Sequence, residues 1–256
     1  MEKEIINEMN KCLENTSIDE RFICFQNVSI TQNGIVISSS SNMHQIIEDY
    51  VYPPIKTLDV YHYTDNTIAE DIKESNKFRL YNILKRYREG ELSPFLHKFG
   101  FEKAFDIYGQ LKEIESYKNI FYGSFIEAPS DNLKTNEMEY FDSLCETRLK
   151  FRITSSKGFF RKINYENDKC YTLFLNLKKV AEKYDKKFLI EGMSGRFASF
   201  CIDDSNNIEN EYRAYWRHWS ECDGFIVNKD ENENFFIEID LNKENFSGIK
   251  IELISQ

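Results

Sequence analysis

The chain has 256 residues and a formal net charge of −10, long enough to bury a sizeable core and too acidic for bulk nucleic-acid binding through a basic face. Its 21 Phe and 15 Tyr supply large buried areas, and only four prolines and ten glycines argue against low-complexity disorder. The six cysteines form no CxxC pair and no His stands at metal-ligand spacing from one, so free thiols in a reducing cytoplasm are expected, with no metal.

The N-terminus, MEKEIINEMNKCLEN, is charged and lacks the apolar segment of a secretory signal. No apolar run approaches the ~20 residues that span a bilayer, so no membrane partner is expected. Ile5, Ile6, Met9 and Leu13 recur at helical spacing and predict an amphipathic helix over 3–14. Residues 20–38 read as two strands about Gln32-Asn33-Gly34, where Asn-Gly tolerates the positive φ of a tight hairpin. A serine run at 38–41 leads to a short helix near 43–50 and then to Pro53-Pro54. This makes residues 1–55 an N-terminal helix-and-hairpin extension, set apart from a domain over 56–256.

Leu58–Tyr63 reads as a strand, and Thr64 or Asp65 as the cap of a helix running to Ser75. Lys77–Asn82 follows as a second strand. Residues 83–117 carry charges and aromatics at helical spacing, broken near Ser93-Pro94 and Gly100, and read as a helical insert. Strands are expected at 119–128, 147–154 and 160–165, an amphipathic helix at 171–184, and strands again at 210–219, 234–241 and 248–254. Strands and helices that do not alternate give an α+β class.

Three constellations carry chemistry. His62 sits in Tyr61-His62-Tyr63-Thr64, and strand alternation points it away from both tyrosines. An imidazole there either donates to a ribose or phosphate or is satisfied by backbone. Ser124 stands in Tyr122-Gly123-Ser124-Phe125, where a mid-strand glycine marks either the close approach of backbone or a ligand, or a bulge with a buried serine. Glu209-Asn210-Glu211 places two carboxylates on one strand face. Such a pair suits charge stabilisation plus proton removal, or else is a solvated edge with Arg213 beside it. Trp216, Arg217, His218 and Trp219 then either wall a pocket or pack. No dinucleotide fingerprint, phosphate loop, zinc-protease helix or nucleophile elbow occurs, and Gly192-Met193-Ser194-Gly195 reads as a turn.

In order, Tyr61-His62-Tyr63-Thr64, the strand ending at Asn82, Ser124-Phe125 with Asp131 downstream, Ile163-Asn164-Tyr165, Glu209-Asn210-Glu211-Tyr212-Arg213 and the closing strand pair resemble a bacterial family of unknown function with an ADP-ribosyltransferase-like core. The resemblance covers about 57–254. The family's Asn-Asp-Pro and Trp-x-x-Tyr elements are replaced here by Leu84–Glu91 and Asn136–Asp142. It implies a split β-sheet core and cleavage of the nicotinamide–ribose bond of NAD, the substrate, without a metal. In that reading His62 binds ribose, Ser124 supports the pocket, and Tyr63 or Tyr81 stacks on nicotinamide. Glu211 holds the nicotinamide ribose and stabilises the developing cation, and Glu209 orients or deprotonates the acceptor, whether protein, nucleic acid, small molecule or water. By analogy the role is that of a toxin or anti-phage effector. The alternatives are an NAD glycohydrolase and a non-catalytic interaction protein on the same scaffold.

Overall fold

The computed structural model describes residues 1–14, 28–30, 34–38, 55–88, 119–130, 134–155, 159–163, 169–191, 210–218, 224–245 and 248–254. The helix expected at 43–50, the insert beyond Arg88, Asp131, Tyr165, the turn at 192–195, Glu209 and Trp219 lie outside the described residues.

The fold is α+β, built on an open and mostly antiparallel sheet with few helices. In chain order the elements are α1 (Glu2–Glu14), β1 (Val28–Ile30), β2 (Gly34–Ser38), β3 (Thr57–Thr64), α2 (Asn66–Ser75), β4 (Lys77–Asn82), α3 (Ile83–Arg88), β5 (Ile120–Glu127) and α4 (Asn136–Leu144). They continue with β6 (Thr147–Thr154), β7 (Phe160–Lys162), α5 (Lys169–Lys183), β8 (Lys187–Glu191), β9 (Tyr212–Arg217), β10 (Val227–Lys229), β11 (Phe235–Asp240), β12 (Glu244–Asn245) and β13 (Ile249–Leu253). The large sheet runs β10-β11-β4-β5-β3-β6-β13-β12, with β9 joining β5 to β7.

Local chemistry explains the element ends. Asp65 caps α2 by accepting the Ile68 N–H at 2.8 Å, and Asn76 closes it in the left-handed region at φ 56°. Asn82 is wholly buried at the end of β4, and its side-chain oxygen accepts the Leu84 N–H at 2.9 Å, starting α3. Four short elements escape the periodicity reading, α4, β8, β10 and β12. In α4 only Met138 is buried, and the helix starts because Thr135 accepts the Met138 N–H. β8 is a five-residue strand whose apolar run, Phe188 to Ile190, is too short for its period to separate strand from helix.

One face of the large sheet carries the core. Val60, Phe78, Leu80, Phe121, Phe125, Phe151, Phe160 and Ala214 cluster there with the apolar residues of β11 and β13. On the opposite face α4 lays Met138 and Phe141 against Tyr61, Tyr63, Ile126 and Ala128.

The N-terminal segment builds with a distant stretch of chain. β1 and β2 form the hairpin, and β2 pairs in parallel with β8, from Gly34 opposite Lys187 to Ser38 opposite Glu191. Helix α1 packs on α5. Lys183 Nζ and Tyr184 Oη both donate to Glu8 Oε1, at 2.6 and 3.0 Å. In the extension read at 1–55, α1 and the β1–β2 pair thus contact residues 169–191, while the Ile55 N–H donates to the Phe160 carbonyl at 2.9 Å.

Candidate functional site

Strand β5 organises the site. Backbone groups alternate between the two edges of a strand. The Asn119 carbonyl accepts the His218 N–H at the end of the β5–β9 ladder, so odd-numbered residues of β5 face β9. The Ala128 N–H donates to the Asp59 carbonyl, so even-numbered residues face β3. Both β3 and β4 use this second edge. β4 pairs with Phe121 and Tyr122, β3 pairs with Ile126 and Glu127, and neither pairs with residues 123–125. The sheet forks there, and the backbone of Ser124 points into the fork.

Residues opposite one another on paired strands share a face. Phe125 opposite Tyr212 and Gly123 opposite Ala214 lie on the core face. Ser124 opposite Arg213, Tyr122 opposite Tyr215, and Arg161 opposite Arg213 lie on the other. Arg213 donates from Nε to Glu211 Oε1 at 2.7 Å and from its terminal nitrogen to Oε2 at 2.9 Å. Both side chains of the pair are about 5 % exposed. The guanidinium carbon of Arg213 stands 4.7 Å over the Tyr122 ring. Asn210, immediately upstream, takes φ 41°. Asparagine tolerates this left-handed conformation better than most residues, and it bends the chain into β9 at Glu211.

Tyr81 pairs with Tyr122 and so belongs to the Ser124 face; Lys85 Nζ stands 4.0 Å over its ring. Tyr63 also lies there, stacked on Phe141 at 5.2 Å, and its hydroxyl accepts from Arg148 at 3.1 Å. Burial raises the Tyr63 pKa, against the lowering effect of Arg148.

His62 occupies the other face. Its ring meets Phe78 edge-on at 4.9 Å and lies 5.6 Å from Phe125. Its Nδ1 is 2.9 Å from the Ser124 carbonyl oxygen. The structure thus brings Ser124, Glu211, Tyr63 and Tyr81 onto one face and places His62 behind them. Trp216 packs on Phe159 and Phe225 at the core.

A cleft of about 250 Å³ is lined by Ile126, Glu127, Pro129, Thr135, Glu137 and Asn210, the residue before Glu211. Pockets for whole small molecules run from ~300 Å³ upward, so this volume suits one ring or side chain rather than a dinucleotide. Tyr212 Oη donates to Glu127 Oε2 at 2.6 Å beneath it, and burial followed by this bond pushes the Tyr212 pKa well up.

Sequence reasoning missed Arg161, Asn210 and the cleft residues Thr135 and Glu137. For Arg161 a signal exists: strand alternation sets it on the face opposite Phe160. The cleft has no such signal, because three separate elements close it. Among the described residues no group of three or more His, Cys, Asp or Glu is placed to hold a metal, and no helix is long and apolar enough to cross a membrane. Cys12 and Cys145 are free thiols. Compared with protein-family models, curated proteins and solved structures, the chain matches none.

Proposed function

We propose that the protein is an NAD-dependent ADP-ribosyltransferase whose reacting centre is the Ser124–Glu211 face. The observation that carries the reading is the forked antiparallel sheet, in which β5 and β9 set Ser124 beside Arg213 and Arg213 holds the Glu211 carboxylate, one residue along from Asn210 in the wall of a cleft. In this reaction the bond between nicotinamide N1 and the ribose C1′ breaks, and its electron pair leaves with nicotinamide. C1′ becomes cation-like, and a fixed carboxylate stabilises that charge without reorganising. An oxygen or nitrogen of the acceptor then attacks C1′ and gives its proton to Glu209. Water as acceptor makes the protein an NAD glycohydrolase. A carboxylate has about four lone-pair sites, and Arg213 engages one on each oxygen of Glu211.

The test is nicotinamide release from NAD in the presence of a cell lysate. Glu211→Gln should lower it by on the order of 10²-fold or more, the loss typical of removing a transition-state charge partner. Equal release by the variant would end this assignment.

A second reading, a non-catalytic binding module, is favoured by two observations: Arg213 engages both Glu211 oxygens, and His62 stands on the core face. Thermal unfolding with NAD separates the two. Ligand at about 100 times its Kd stabilises by about 2.7 kcal/mol. No shift at millimolar NAD supports the binding module.

A further inference from the structure

We infer that His62 is a positioning residue that holds the fork of the sheet shut through the Ser124 backbone, rather than a group that touches a ligand. At the fork β5 loses its strand partners on one edge while its backbone polar groups still point that way. A buried carbonyl left without a donor is costly, comparable to a lost hydrogen bond. His62 fills that place. Its Nδ1 lies 2.9 Å from the Ser124 oxygen, and a carbonyl only accepts, so Nδ1 carries the proton.

The ring also fills the wedge between the diverging strands. Phe78 comes from β4 and Phe125 from β5, at 4.9 and 5.6 Å from the imidazole, and they are 5.3 Å from each other. One side chain from β3 therefore joins all three strands where no ladder does. Its effect passes through the sheet. Ser124 turns its side chain to the opposite face, on the rung it shares with Arg213, and Arg213 holds Glu211. Shifting the Ser124 backbone shifts the rung that orients the carboxylate. This holds whatever ligand that face takes; only the turnover readout below rests on the ADP-ribosyltransferase reading.

Long-range ¹H–¹⁵N NMR of the full chain tests the inference. The expected wild-type spectrum shows the Nδ1–H tautomer for His62, with ring signals that do not move when NAD is added. His62→Phe keeps the aromatic volume and removes the donor. It should displace the backbone amides of 123–125 and 212–214, and His62→Asn, whose amide places an N–H near the Nδ1 position, should return them toward wild type. If turnover of NAD is present, His62→Phe should lower kcat by on the order of 10²-fold with KM little changed, the size of effect expected from a ~1 Å misplacement. His62→Asn should recover at least a tenth of it. An Nε2–H tautomer in the wild type overturns the inference, and needs no variant to fold. Ring nitrogens that shift on NAD binding, as a direct ligand's do, also overturn it. Absence of NAD binding or turnover removes the proposed function while the tautomer and the amide shifts still decide the role of His62.

Discussion

Glu211 and Arg213 are buried together, and such a pair makes each partner depend on the other. Taking an isolated carboxylate out of water costs several kcal/mol, which the two parallel hydrogen bonds from Arg213 offset. Arg213→Met should therefore destabilise the protein by about 3–5 kcal/mol in urea unfolding, because it takes two charge-assisted hydrogen bonds from a buried carboxylate. Glu211→Met with Arg213→Met should recover most of that loss, since apolar replacement of both partners is often neutral. A single variant that costs nothing would mean the carboxylate is held by something else. Tyr212 gives a pH signature at the same scale. Burial, then the hydrogen bond to Glu127, raises its folded-state pKa. An unfolded tyrosine ionises near pH ~10. The stabilisation is thus complete below that value and is lost as pH rises toward the folded pKa, because the unfolded chain releases the proton and the native one keeps it. Between pH ~8 and ~11 the wild type should lose more stability than Tyr212→Phe, read as a steeper fall of the urea midpoint. Parallel curves would contradict the shift.

At the scale of elements, the fork in β5 depends on Gly123. A Cβ at that position would stand 3.0 Å from Leu80 Cδ2 and 3.0 Å from Phe78 Cε1. Both neighbours are buried in the core and have little room to yield. Gly123→Ala should cost about 1–3 kcal/mol, the range for overpacking a filled core, with the loss visible in thermal unfolding. An unchanged melting temperature would show that β4 can move away from β5. A mid-strand glycine suits either a close approach or a bulge, and here Phe78 and Leu80 of the neighbouring strand approach it. Strands were legible where alternation was long: Lys77–Asn82 and Thr147–Thr154 agree to the residue with expectation. Asp65 was one of the two caps considered. The single buried residue of α4 explains why its helix was not legible.

For the whole molecule, the N-terminal helix acts as a brace on residues far along the chain. Ile5 and Met9 are fully buried, as are Leu177 and Ala181 nearly so on α5, against which α1 packs. Burying an aliphatic or methionine side chain stabilises by about 1.5–3 kcal/mol, an upper range because unfolded chains already hide some surface. Removing residues 1–14 should therefore speed hydrogen exchange across 169–191 while leaving β6 protected as before. Equal protection in both versions would mean that α5 stands without α1. The same arrangement places the segment that precedes Glu211 downstream of β8, which is itself anchored in parallel to β2.

By itself the sequence determined what acts over a few residues. Period-two alternation set most strands and turned His62 away from Tyr61 and Tyr63; the opposite faces seen for these residues follow from it. The spacing of Glu211 and Arg213 put them on one face, and they pair. Only the tertiary structure decided what depends on partners distant in the chain. It made β3 and β4 share one edge of β5 and part at Ser124, set Arg161 across from Arg213, joined the N-terminal hairpin to β8, and closed a cleft from three elements. Local pattern specifies which face of a strand is buried, but the choice of neighbouring strand and its register comes from burying that face against others, which no short window contains.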